Sequence, residues 1–156
     1  MTYLIVKWLH ILSSTLLFGT GLGSAFYLFF ASRTRDVHAI AVVTRYVVIA
    51  DWLFTTPTII FQPVSGIYLA HVAGWSLLSP WLAGSIALYL LAGACWLPVV
   101  LMQIRMRDWA RRAADANEPL PALYWAYLRR WTALGIPAFL ALVIVFYLMV
   151  AKPALL

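Results

Sequence analysis

The chain has 156 residues, 65 % of them apolar and only 10 % charged. A soluble domain carries about 25 % charged residues, so these proportions exclude a soluble globular domain and describe an integral membrane protein. The lone cysteine, Cys95, excludes an internal disulfide and a cysteine-cluster metal site, and the net charge of +6 belongs to membrane topology rather than to nucleic-acid binding.

The first segment, Tyr3 to Phe30, is long and apolar, with Lys7 and His10 as its only ionisable side chains apart from the tyrosines. About 20 apolar residues cross a bilayer core, so this segment spans it with room to tilt. It is read as an uncleaved span, because it is far longer than a signal-peptide core and no small-residue cleavage site follows. ASRTRDVH (Ala31 to His38) is a short polar connection. A second apolar segment, from about residue 39 to 75, is too long for one straight crossing, and a bend is expected at Pro57 and Pro63. Gly74 to Trp81 makes an uncharged turn, and the third span covers residues 82–104. Arg105 to Ala116 then reads as a short interfacial helix before Pro119 and Pro121, and a fourth span covers residues 131–150. The expectation is an all-α, four-transmembrane-helix bundle forming a single domain over residues 1–156.

Every arginine (Arg33, Arg35, Arg45, Arg105, Arg107, Arg111, Arg112, Arg129 and Arg130) falls at the first or the third connection. With four spans these connections share one side, and basic residues in short loops mark the cytoplasmic face. Both termini then lie on the periplasmic side of a bacterial inner membrane. Lys7 and Lys152 lie on that outer side, where long stems reach the interface. Trp8, Trp75 and Trp81 outside, with Trp109, Trp125 and Trp131 inside, fit two aromatic belts.

The second span carries a polar stripe. Asp51, Thr55, Thr58, Gln62 and Ser65 recur at steps of four, three, four and three, which places them on one helical face. Such a face is costly against lipid and should turn inward, either as interhelical glue or as the lining of a cofactor, proton or ion site with Asp51 as its ionisable member. Asp51 could also pair with Arg45. On the first span His10, Ser14, Leu17, Gly21 and Ser24 share a face, while Gly19 and Gly23 form a GxxxG that permits close packing and self-association into a homo-oligomer. A histidine two turns inside a span needs a partner or a ligand, and neutral imidazole is a common ligand to haem iron. His10 and His71 both approach the outer face, so a bis-histidine haem between antiparallel helices is one arrangement. Against it, His71 lies half a turn from the Gln62 stripe on an ideal helix. A hydrogen-bonded structural role for His10 stays open. Lys7, three residues before His10 on the same face, suits a propionate or plain snorkelling. No P-loop, HExxH, CxxC or Ser-His-Asp set is present.

YLIVKWLHI at the start resembles the K-x-x-H-I opening of HemJ-type protoporphyrinogen oxidases, and MVAKP (Met149 to Pro153) resembles the close of their last helix. A family of predicted bacterial integral membrane proteins of unknown function is similar throughout, in LLFGTGLGSAF, ADWLFTTPTIIFQPVSG and RRWTALGIPAFLALVIVFYLMVAKP. The HemJ resemblance implies a haem b with His10 as axial ligand and a porphyrin-type substrate. Gln62, Asp51 and Lys7 would be supporting or propionate-side groups. That family carries a lysine in an interior helix, whereas this chain has none between Lys7 and Lys152. The expected function is therefore a haem-binding membrane protein with an electron-transfer or HemJ-like oxidoreductase role. The rival is a cofactor-free scaffold or a small-solute or metal permease.

Overall fold

A computed structural model of the chain describes residues 1–153; the last three residues of the expected domain lie outside the described residues. The described part is all-helical, with α1 Thr2–Thr34, α2 Val37–Ala50, a π-helical turn Asp51–Thr55, α3 Thr56–Val72, α4 Pro80–Ala116 and α5 Ala122–Ala151. Because α2, the π turn and α3 run on as one rod, the chain makes four helices long and apolar enough to cross a membrane.

Local chemistry sets the ends of these rods. Arg35 adopts the left-handed conformation (φ 59°) that closes α1, and Asp36 at once accepts the backbone N–H of His38 and Ala39 to open α2. Pro80 starts α4, where its missing N–H costs nothing. Asn117 and Lys152 end α4 and α5, again with positive φ. The expected interfacial helix from Arg105 is not separate: it is the last part of α4. Likewise α5 begins well before Trp131, so both helices project past the apolar segments at the arginine-rich end.

The bend expected in the second segment takes a particular form. Pro57 has no N–H and its ring crowds the carbonyl four residues back, so the chain widens just before it. Thr56 donates its N–H to the Asp51 carbonyl, five residues back, which is the π-helical bond. The Thr58 hydroxyl donates to the carbonyls of Phe54 and Thr55, at 2.6 and 2.9 Å. Pro63 is accommodated within α3 without ending it.

Packing differs between the two ends. At the arginine-rich end Leu28, Ile40, Val47, Val99, Met106, Ala110, Tyr124 and Trp131 form one apolar cluster. At the other end only Ala70, Trp81 and Leu82 do so, with Met149 against them. Between the clusters the buried residues are largely polar: Ser13, Thr58, Gln62, Ser65 and Ser85. The first and third connections meet, with His38 Nε2 3.0 Å from Asn117 Oδ1. The Lys152 ammonium sits over the rings of Trp75 and Trp81, 5.0 and 5.7 Å from their centroids, fixing the end of α5 beside the second connection.

Two expectations about packing change. A methyl group at Gly19, Gly21 or Gly23 would meet nothing within 4 Å, so among the described residues no helix packs closely on the GxxxG face. Trp81 and Trp131 are buried, 7 % exposed each, and so do not belong to aromatic belts.

Candidate functional site

His10 is set two turns into α1, half-buried, and α3 grips it at three points. Its Nδ1 lies 2.7 Å from Ser65 Oγ. The Gln62 side-chain amide donates to the His10 backbone carbonyl at 2.9 Å. Gly66 brings the α3 backbone so close that a methyl there would sit 3.4 Å from His10 Cε1. The stripe periodicity of four and three is what brings Gln62 and Ser65 to the same partner.

The hydrogen bonds around Ser65 favour one imidazole tautomer. A serine hydroxyl has one proton to give, and Ser65 Oγ lies 2.7 Å from the Phe61 carbonyl, which can only accept. With that proton on Phe61 O, Oγ accepts from His10 Nδ1–H. A neutral imidazole protonated at Nδ1 carries its free lone pair on Nε2, and Nε2 has no hydrogen-bond partner among the described residues. An oriented Nδ1 and an open Nε2 are what a metal-ligating histidine requires. One turn further on the same helix, the buried Ser13 Oγ also has no hydrogen-bond partner.

The other candidate residues are placed differently. Lys7 is exposed, its ammonium 6.0 Å from the Tyr3 ring centroid. His71 is exposed at the end of α3, five residues past Gly66 and turned from the face that meets His10. Asp51 is buried but belongs to a second polar cluster, roughly 16 Å along the rod from Gln62 by helical rise. Arg45 is exposed and makes no ion pair with it. Instead the Gln103 amide, in the orientation that satisfies both its ends, donates to Asp51 Oδ2 at 2.6 Å and accepts from Trp131 Nε1 at 3.3 Å. The Thr55 hydroxyl and the Trp96 indole N–H also face the carboxyl, without closing a hydrogen bond. The Gln103 amide is the one donor that closes a hydrogen bond to Asp51 among the described residues, and through it the π turn is tied to α4 and α5. Sequence reasoning missed Gln103, Trp96 and Trp131 here. A lone amide in the apolar third span was the available signal.

A bare metal ion needs several protein ligands, and among the described residues no three His, Cys, Asp or Glu side chains come together. A single free imidazole instead suits a metal that brings its own ligands, as iron in a porphyrin does. Among the described residues, then, His10 stands as a single imidazole and not as part of a three-ligand cluster.

Helices of this length and composition around two buried polar clusters define a multi-pass integral membrane protein. Over residues 4–153 the chain matches the family described as "Predicted integral membrane protein (DUF2269)", and it belongs to that family. No curated protein matches it, and no solved structure does. The resemblance to HemJ-type oxidases therefore rests on the two end motifs alone.

Proposed function

We propose that this is a haem b-binding protein of the bacterial inner membrane, with His10 Nε2 as an axial ligand and both termini on the periplasmic side. The observation that carries the reading is the Ser65–His10 pair at 2.7 Å, which engages Nδ1 and leaves Nε2 without a hydrogen-bond partner among the described residues. Bound there, haem would supply one-electron chemistry, in electron transfer or in oxidation of a porphyrinogen as the HemJ resemblance implies. The chain's own residues orient the imidazole through Ser65, hold α1 against α3 through Gln62, and offer the Ser13 hydroxyl one turn away. Lys7, exposed near the start of α1, is available to an anionic group at the surface.

The test is an absorption spectrum of protein purified in mild detergent from haem-replete cells, oxidised and then reduced with dithionite. A Soret band with sharp α and β bands on reduction is expected. In His10→Ala these bands should be lost while the helical circular dichroism is kept. A spectrum with no haem bands in the unaltered protein would overturn the proposal.

A further inference from the structure

At the arginine-rich end, the last turn of α1 and the first turns of α5 enclose two shallow cavities that share Arg35 and Trp125. One, of about 300 Å³, is lined by Phe29, Ser32, Arg33, Arg35, Trp125 and Leu128. The other, of about 430 Å³, continues past Arg35 to Val37, Pro119 and Leu120. The polar atoms beneath them are already satisfied. Ser32 Oγ and Tyr124 Oη lie 2.9 Å apart, with the two residues 1 % and 0 % exposed. The unmet demand lies with the arginines.

The Arg33 guanidinium stands 5.7 Å from the centroid of the Phe29 ring, and that of Arg35 stands 5.9 Å from the Trp125 ring. Contact with an aromatic ring leaves a guanidinium with N–H groups able to bind phosphate in a fork. Nor does a carboxylate compensate these charges. The ion pairs among the described residues are Arg107–Asp108 and Arg111–Asp115, both on α4. Asp36, the nearest acid in sequence, is engaged in capping α2. His38 is held by Asn117, and Glu118 is exposed.

The cleft also has a gradient. It lies where the apolar stretches of α1 and α5 give way to polar sequence, hence at the membrane–water boundary. Phe29 and Leu128 line it on the apolar side, Trp125 stands between, and Arg33 and Arg35 lie on the polar side. An inorganic phosphate would use only the arginines. A molecule with a phosphate at one end and hydrocarbon at the other matches the whole wall. We propose that this cleft binds an anionic phospholipid, its phosphate on Arg33 and Arg35 and its upper acyl carbons along Phe29, Trp125 and Leu128. Basic recesses between transmembrane helices are suited to such headgroups.

The experiment is native mass spectrometry of the full chain in detergent, titrated with phosphatidylglycerol and, separately, with phosphatidylcholine of the same acyl chains. The unaltered protein should prefer phosphatidylglycerol, and Arg33→Ala/Arg35→Ala should weaken that lipid by about 30-fold, from the expected contribution of two interfacial arginines. The charge-matched control Arg111→Ala/Arg112→Ala should stay within about threefold of the unaltered chain, while Trp125→Ala should weaken both lipids. Equal losses in the two double variants would mean a diffuse positive surface and overturn the site. So would an unchanged affinity in Arg33→Ala/Arg35→Ala. Displacement of the lipid by millimolar inorganic phosphate would identify a free anion as the ligand and overturn the lipid assignment. Helical circular dichroism of each variant confirms that a loss reflects binding and not unfolding.

Discussion

Replacing Asp51 tests whether the cluster around the π turn holds three elements together. The carboxyl is 6 % exposed and accepts the Gln103 amide at 2.6 Å, while Gln103 in turn accepts from Trp131 at 3.3 Å. Asp51→Leu keeps the branched shape, with bulkier methyl groups in place of the oxygens, and removes the acceptor. A hydrogen bond to a charged group contributes about 1.5–3 kcal/mol, while bonds between transmembrane helices average roughly 0.6 kcal/mol and reach about 1.7. The stranded Gln103 amide adds a desolvation cost of about 1–3 kcal/mol. Together these set an expected loss of about 3 kcal/mol for Asp51→Leu. Asp51→Asn keeps an acceptor oxygen and should lose about 1 kcal/mol. The gap of roughly 2 kcal/mol is about 30-fold in the folding equilibrium. Unfolding by sodium dodecyl sulfate in mixed micelles, followed by circular dichroism, reads it directly. If Asp51→Leu is as stable as the unaltered chain, the carboxylate is not a structural tie and its burial has another cause. Replacement of buried charges by hydrophobes sometimes has that result.

Ser65→Ala removes the group that orients His10. Loss of such a partner costs ligand affinity about 10–100-fold, so under the proposed haem reading the haem retained through detergent washing should fall by that order with the fold intact, and unchanged retention would detach Ser65 from the site. Tyr124→Phe strands the buried Ser32 hydroxyl and should destabilise by about 1–2 kcal/mol; Tyr124→Phe/Ser32→Ala should recover part of it in the same unfolding assay. Sidedness is read with single-cysteine variants made in a Cys95→Ala background. An impermeant maleimide applied to intact cells should label Ser76→Cys and spare Asn117→Cys, and the reverse pattern would invert the topology. Gly19→Ala/Gly23→Ala adds methyl groups that meet nothing within 4 Å in the monomer, so a shift in the protein's size in detergent would place a second copy on that face.

The sequence pattern carried much of this arrangement because bilayer physics acts on composition. Four apolar rods and a shared arginine-rich end followed from span length and loop charge alone. The inward turn of the stripe was equally legible: Asp51, Thr55, Thr58, Gln62 and Ser65 are all buried, as the cost of polar groups against lipid demands. The partners across helices were not legible, since Gln62 and Ser65 meet His10 more than fifty residues away in the chain. Nor could periodicity divide the stripe in two, with Asp51 at one cluster and Gln62 at another. Pro57 announced a disturbance without its kind: a proline can kink, break or widen a helix, and the choice depends on which carbonyls find another donor, here Thr56 N–H and the Thr58 hydroxyl. The GxxxG misled about packing within the chain because spacing of small residues fixes which face is smooth and not what lies against it.

The uneven filling of the bundle has a bearing on access. Where α1, α2, α4 and α5 interlock around Met106 and Tyr124, both 0 % exposed, opening would have to break a continuous apolar seam. Around His10 the helices meet through a serine hydroxyl, a glutamine amide and a glycine. A flat, greasy molecule already dissolved in the bilayer thus meets a wall with one clasped end and one yielding end. Under the proposed haem reading, such a molecule would enter sideways, between helices.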